Sequence, residues 1–285
     1  MSSKNNNEWL FEIKPKSSVL QLNLKEVWQY RDLLLLFVKR DVVTLYKQTV
    51  LGPLWYLIQP LITSVIFTLI FNNIANISTG TIPPFLFNLA GVTTWNYFKE
   101  CLTATSDTFK KNEAIFGKVY FPRIIMPLSI IVSNLIKFGI QLLILIIFYI
   151  YFVLTGYHLT PNIYIVLFPV LVLFMGMLGL GLGMIISSMV TKYRDLTFLV
   201  SFGVQLLMYV SLVVLPLSLF QEKGYEWVVK YNPMAYIIES ARFMLLSEGR
   251  VSVFGIVYTC VITLIILLMG IIIFNKTEKS FIDTI

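Results

Sequence analysis

The sequence predicts an all-α integral membrane protein: six transmembrane helices, an N-terminal amphipathic interfacial helix, and short external re-entrant helices between spans five and six. Three observations carry that expectation. The chain of 285 residues is 57% hydrophobic and 13% charged, with a mean hydropathy of +0.80, where soluble domains carry about a quarter charged residues. Its apolar residues gather into runs that approach or exceed the roughly 20 residues a helix needs to cross a bilayer. Its basic residues, which give a net charge of +7, flank those runs as orientation signals do and build no single patch that would bind nucleic acid.

Residues 1–23 are polar and show no apolar core behind a basic start, so they read as a cytoplasmic segment without a cleavable signal peptide. Over 24–47 the pattern is helical. Val27, Tyr30, Leu34, Phe37, Val38, Val42 and Leu45 fall on one side of a 3.6-residue wheel, with Lys25, Gln29, Asp32, Lys39, Arg40 and Lys47 opposite. Its longest uncharged run is 33–38, too short to span, so the helix should lie along the membrane surface.

The transmembrane domain is expected over 48–275. Span one (54–71) contains Pro60, tolerable where neighbouring helices re-satisfy the freed backbone group. Residues 72–84 hold no Lys or Arg and are assigned outside. Span two (85–107) carries Asn88, Thr93, Thr94, Asn96, Lys99, Glu100, Thr103 and Thr105 and cannot face lipid all round; Lys99 and Glu100 mark either a lumen or an inter-helix ion pair. Residues 108–123 are basic and aromatic, too polar to enter the bilayer, and read as a cytoplasmic handle. Span three (124–154) has Lys137 as its only charge.

An uncharged external turn, 155–162, holds the sole histidine, His158, with nothing nearby to complete a metal site. Span four (163–190) includes GMLGLGLGM. No strand precedes it, so the glycines are not a dinucleotide loop; Gly179 and Gly183 have the small-x-x-x-small spacing that lets helices approach closely. TKYRD at 191–195 is a basic inside turn, and span five follows over 196–215. The external segment 216–250 holds two amphipathic pieces broken at Asn232 and Pro233, with Glu239 and Arg242 spaced to pair at i,i+3. Span six covers 251–274, and 276–285 forms a cytoplasmic tail. Sixteen Lys and Arg fall inside on this topology and four outside, which places both termini in the cytoplasm.

Enzymatic constellations are missing. The aspartates Asp32, Asp41, Asp107, Asp195 and Asp283 lack the paired spacing of a magnesium-dependent transferase. Cys101 and Cys260 lie in apolar stretches and suit packing rather than redox or metal chemistry. The one Gly-Lys pair, Gly117 and Lys118, has Asn112 where a phosphate loop needs glycine and Val119 where it needs Ser or Thr. No catalytic residue, metal or cofactor is assigned to this chain; if it pumps, its energy must come from another chain.

In order along the chain stand YKQTVLGPLWYLIQPL entering span one, KVYFPRIIMP before span three, KYRDL before span five and NPMAYIIESAR before span six. Together with the surface helix they resemble the membrane subunit of ABC-2 type polysaccharide exporters, which carry O-antigen, capsular polysaccharide or teichoic acid. The resemblance covers about 32–274. It implies a channel-forming homodimer in the bacterial inner membrane, bound to two copies of an ATPase that holds ATP and magnesium, and exporting a polyprenyl-pyrophosphate-linked polysaccharide.

It implies that 108–123 is a coupling segment, with Phe116, Val119 and Phe121 as apolar anchors and Lys110, Lys111, Asn112, Glu113, Lys118 and Arg123 as polar contacts to the ATPase. Arg31, Lys39, Arg40 and Lys47 become candidates to attract the pyrophosphate at the cytoplasmic mouth, or else they anchor the helix to anionic lipid. Trp55, Tyr56, Trp95, Tyr97 and Tyr209 are candidate channel aromatics that sugars could stack on; aromatics also gather at membrane interfaces. Residues 216–250 would form an external gate with Tyr225, Trp227, Asn232, Pro233 and Tyr236. A small-drug or lipid permease of the same class, a membrane-embedded glycosyl or prenyl transferase, and an ion-coupled transporter are the alternatives; the last two lack the carboxylates their chemistry needs.

Overall fold

The computed structural model describes residues 24–47, 51–116, 118–119, 121–160, 162–193, 195–249 and 251–282; the polar segment 1–23 and the last residues of the tail lie outside them. Every regular element among the described residues is helical. Two helices, α1 (Leu24–Gln29) and α2 (Arg31–Tyr46), replace the single helix expected over 24–47. The break falls at Tyr30, whose φ of −94° and ψ of 18° leave the helical range. It is a mild kink, because the Tyr30 and Leu34 amides still donate to the Glu26 and Tyr30 carbonyls.

A 3₁₀ turn, Gly52–Leu54, leads into α3 (Trp55–Phe67). Gly52 there has a φ of 49°, which a residue with a β-carbon adopts only at a cost. The helix widens into a π-helical stretch, Thr68–Ile74. After it come α4 (Pro84–Ser106), α5 (Thr108–Phe116) and α6 (Ile125–Leu154). A second 3₁₀ turn, Ile163–Leu167, opens α7 (Phe168–Val190), and α8 (Leu196–Val210) follows. Three shorter helices, α9 (Leu217–Glu222), α10 (Glu226–Lys230) and α11 (Pro233–Leu246), precede α12 (Val253–Ile282).

Among the described residues, four stretches are long and apolar enough to cross a membrane: Trp55–Ile74, Ile125–Leu154, Ile163–Val190 and Val253–Glu278. The two other expected spans differ from these. α4 has the length but too little hydropathy, and α8 ends after 15 residues, at Val210 and not at 215.

α4 occupies the middle. Sixteen of its 23 residues are buried, and α3, α6, α7, α8 and α11 lie against it. Several of its polar groups find partners within the protein, although Thr93 Oγ1 and Thr105 Oγ1 have none among the described residues. The Asn88 amide donates to Thr68 Oγ1 (3.0 Å) and Asn72 Oδ1 (2.8 Å) on the π-helical stretch, and Thr94 and Thr103 donate back to the carbonyls of Ala90 and Lys99. A continuous core joins α4 to α7 and α11 through Trp95, Phe98, Met175, Leu178 and Ile238. One end of the bundle is closed by an aromatic cluster from α2, α5 and α12, the other by Ile82, Leu86, Leu159 and Leu246.

The glycines of α7 permit this arrangement from two sides. A β-carbon on Gly183 would stand 2.5 Å from Thr105 Cβ and 2.9 Å from the Leu102 carbonyl oxygen of α4; one on Gly179 would stand 2.8 Å from Cys101 Cβ. Gly181, about 200° around the helix from Gly179, instead meets α12, where its β-carbon would lie 2.8 Å from Leu267 Cα. Gly179 and Gly183 therefore do what their spacing suggested, and the glycine between them serves a second contact. Gly181→Ala and Gly183→Ala should each destabilise the protein by about 1–3 kcal/mol and lower its thermal midpoint in detergent. Gly203→Ala on α8, where nothing lies within 4 Å, should leave the midpoint unchanged.

Candidate functional site

The basic, aromatic segment after α4 folds into α5 and an irregular stretch that returns to α6. In α5 the residues Thr108, Phe109, Asn112 and Phe116 are buried, at helical spacing, while Lys110, Lys111 and Glu113 are exposed. The buried side is aromatic. Phe109 stacks on Phe274 of α12 with ring centroids 4.6 Å apart, Phe116 meets Phe109 and Phe121 at 5.9 Å each, and Phe121 meets Phe37 of α2 at 5.7 Å.

Arg123 ties this stretch to the end of α12. Its guanidinium lies over the Phe116 ring (4.9 Å), donates to the Phe116 and Glu278 carbonyls (3.4 Å each) and approaches the Glu278 carboxylate at 4.0 Å. Burial lowers its pKa and Glu278 opposes that shift.

Phe116, Phe121, Asn112 and Arg123 therefore do not stand out as contacts for a partner, contrary to the expectation from sequence. Their surfaces are spent fixing α5 to α2 and α12, because three apolar rings in so short a segment are what hold it to the bundle. The outward set is Lys110, Lys111, Glu113, Lys118 and Val119, with Val119 58% exposed. Lys111 pairs with Asp107 at 3.1 Å.

On α2, Phe37 and Val38 are buried against the α5 end, and Lys39 and Lys47 are exposed. Arg40 donates to Asp41 at 2.9 Å while lying over the Phe37 ring, and Arg31 pairs with Asp32 at 3.8 Å beside Trp28. The two arginines are thus already partnered.

The candidate channel aromatics separate. Trp95 and Tyr97 are buried in the protomer, packed on Phe98 (5.3 Å) and Phe138 (5.0 Å). Trp55 and Tyr209 remain exposed, and Tyr56 is half-buried with Lys137 Nζ 5.3 Å from its ring.

At the far end, α8 gives way to a non-helical stretch in which Ser211, Leu212, Val213 and Val214 are fully buried and Leu212 is left-handed, with a φ of 60°. Its carbonyls are taken by Arg242 of α11, whose Nη1 donates to Leu212 O (2.7 Å) and Nη2 to Val213 O (2.6 Å). Glu239 faces the same guanidinium at 3.4 Å, and Phe87 of α4 lies under it at 3.6 Å. Burial lowers the Arg242 pKa to about 10, with Glu239 opposing, so the group is cationic at neutral pH.

Asn232 caps α11 by accepting from the Met234 amide and donates to Ser211 Oγ (2.9 Å). Pro233 begins that helix, and Tyr236 donates to the Lys230 carbonyl. Tyr225 and Trp227 on α10 are exposed. Sequence spacing foresaw the Glu239 and Arg242 pair but not its burial or its hold on α8; an arginine within the apolar run MAYIIESARFMLL was the available signal.

The family model for the ABC-2 type transporter matches residues 32–246. The chain belongs to the ABC-2 type transporter family. It is similar to two O-antigen export system permease proteins RfbA of Klebsiella pneumoniae, at 27% and 28% identity, each comparison covering 88% of this chain and 94% of the relative. The O-antigen export system permease protein RfbA of Myxococcus xanthus is 25% identical over 92% of this chain and 98% of its own length. In this ABC-2 transporter the family match takes in α2, the exposed lysines of α5 and the Arg242 clasp. Arg242→Ala would leave two carbonyls in a fully buried stretch without their guanidinium donors and would remove the ion pair with Glu239. It should destabilise the purified protein by about 3–5 kcal/mol, read as a lowered thermal midpoint, and Arg242→Lys should recover less than half of that because one ammonium cannot reproduce the fork.

Proposed function

We propose that this chain is the membrane subunit of an ATP-driven exporter of a lipid-linked polysaccharide of O-antigen type. It would work in the bacterial inner membrane as a channel-forming homodimer over two copies of a separate ATPase, which hold the ATP and magnesium. The observation that carries this reading is similarity over 88–92% of the chain to proteins named for O-antigen export.

The chain then crosses six times with both termini in the cytoplasm. α4 can cross despite its polarity because protein, not lipid, surrounds it. α8 crosses together with the buried stretch clasped by Arg242, whose irregular backbone is tolerable where it is enclosed in protein. The positive-inside bias puts α5 in the cytoplasm.

There the lysine-bearing face of α5 meets the ATPase through Lys110, Lys111, Glu113, Lys118 and Val119, while the aromatic face transmits load to α2 and α12. Lys39 and Lys47 attract the anionic head of the substrate to the membrane surface. Trp55 and Tyr209 offer rings for the C–H faces of sugars, and α9 to α11 form the external gate, with Tyr225 and Trp227 at its surface.

Triple charge reversal of Lys110, Lys111 and Lys118 to Glu, or Val119→Asp alone, should leave the thermal midpoint intact while abolishing coupling. Surface polysaccharide should fall about tenfold or more, matching a loss of at least 1.4 kcal/mol in ATPase binding. Phe116→Asp should instead lower the midpoint itself. Unchanged ATPase binding and unchanged surface polysaccharide in the exposed-face variants would overturn the coupling assignment.

A further inference from the structure

Between α3, α4 and α6 lies a polar crevice that the coupling face, the surface helix and the gate leave unused. Gln59, Asn96, Lys99, Glu100, Asn134, Lys137 and Gln141 are its polar lining, with the rings of Tyr56 and Tyr97 beside them. Lys137 is the only charge on the 30-residue α6, and an ionisable group so placed in a membrane helix is costly enough to require a partner or a use.

Its partners are incomplete. Lys137 Nζ donates to Asn134 Oδ1 at 2.8 Å and lies over the Tyr56 ring. The nearest carboxylate on the crevice wall, Glu100, stands 4.0 Å from Lys99. Two ammonium groups therefore face one carboxylate, and the crevice keeps a net positive charge. The amide nitrogen of Asn134, a residue 3% exposed, has only the weakly accepting Cys101 thiol to donate to. One carboxylate answers two ammonium groups, and what is missing is negative oxygen.

Position narrows the ligand further. Tyr56 and Gln59 fall in the first two turns of α3, and Lys99 lies seven residues, about 10 Å, before the end of α4. The crevice is thus toward the α5 end of the bundle, with Lys137 about 18 Å into α6. The side chains of Lys99 and Glu100 are 32% and 40% exposed, so it opens to the outside of the protomer. Its enclosed part holds about 30 Å³, room for roughly two waters and too small for a sugar ring. Only the terminal oxygens of an anion fit inside, with the rest of the molecule at the mouth.

We propose that this crevice binds the phosphate oxygens of a lipid-anchored phosphate, with Lys137 and Lys99 supplying charge and the Asn134 amide a directed hydrogen bond. Phosphate oxygens would accept from all three and bring the negative charge that Glu100 alone does not supply. On the export reading, from which the substrate class is taken, the occupant is the diphosphate of the carrier lipid; a phospholipid head group has the same chemistry. The arginines of α2 are less suited, since Asp32 and Asp41 already neutralise them.

The test is equilibrium binding of farnesyl diphosphate to the intact protein in phosphatidylcholine nanodiscs, with farnesol as the uncharged control. Farnesyl diphosphate should bind and farnesol should not. Lys137→Met should weaken binding about ten- to a hundredfold, Asn134→Leu less, and Lys137→Arg should retain it. Where Lys137→Met fails to fold, Lys99→Gln at the open rim carries the same expectation. Nanodiscs containing phosphatidylglycerol distinguish the sources: competition assigns the site to phosphates in general, its absence to the diphosphate, and either supports the proposal. Equal binding of farnesol, or affinity unchanged in both lysine variants, overturns it. Export is scored separately, so a chain that exports polysaccharide without this binding sinks the crevice alone, and one that binds diphosphate but exports nothing sinks the export reading alone.

Discussion

The structure depends on enclosing α4. A helix carrying Asn88, Thr94, Asn96, Lys99, Glu100 and Thr103 cannot present those groups to lipid, where each unsatisfied polar group costs several kcal/mol. It is wrapped by α3, α6, α7, α8 and α11, and each neighbour answers a need. The π-helical end of α3 supplies Thr68 and Asn72 to Asn88. The α7 glycines admit the α4 backbone at a distance no side chain would allow. α6 provides Asn134 and Lys137 opposite Lys99 and Glu100.

Enclosure also makes α4 a mechanical strut between the two ends. Asp107 alone separates it from α5, whose inner face is bolted to α2 and α12 by Phe109, Phe116 and Phe121. Near its other end, Phe87 lies under Arg242, and Gly91 leaves room for the Val213 carbonyl that Arg242 holds. A β-carbon at Gly91 would collide with both the carbonyl and the guanidinium. A displacement applied to the lysines of α5 therefore has a short, well-packed route to the point where α8 loses its helical form.

Much of this was legible in the sequence. The polarity of α4, the small-residue spacing of α7, the kink-prone Asn232 and Pro233 cap and the basic stretch after α4 all declare themselves locally. The errors have one physical cause, contacts with elements distant in the chain. A nine-residue helix followed by Phe121 and Pro122 does not show which of its faces another helix will cover, and Phe274, more than 150 residues away, decides that Phe109 and Phe116 turn inward. The run 196–215 is uncharged and long enough to cross, yet the helix stops at Val210. The carbonyls just beyond it, of Leu212 and Val213, find a guanidinium from α11 instead of the next turn's amides. Ring chemistry alone does not show that Trp95 and Tyr97 are buried in the protomer.

The Arg242 clasp and the Lys137 crevice place positive charge at opposite ends of the bundle, but under different conditions. Arg242 is fully buried and its two terminal nitrogens are spent on the Leu212 and Val213 carbonyls, with a carboxylate beside it and a ring beneath; its Nε has no partner among the described residues, and its role is to define one backbone arrangement. Lys137 ties down no backbone: one amide oxygen and one ring meet its ammonium, which lines a crevice open to the outside. What each cation holds separates a charge that builds the fold from one that we assign to a ligand.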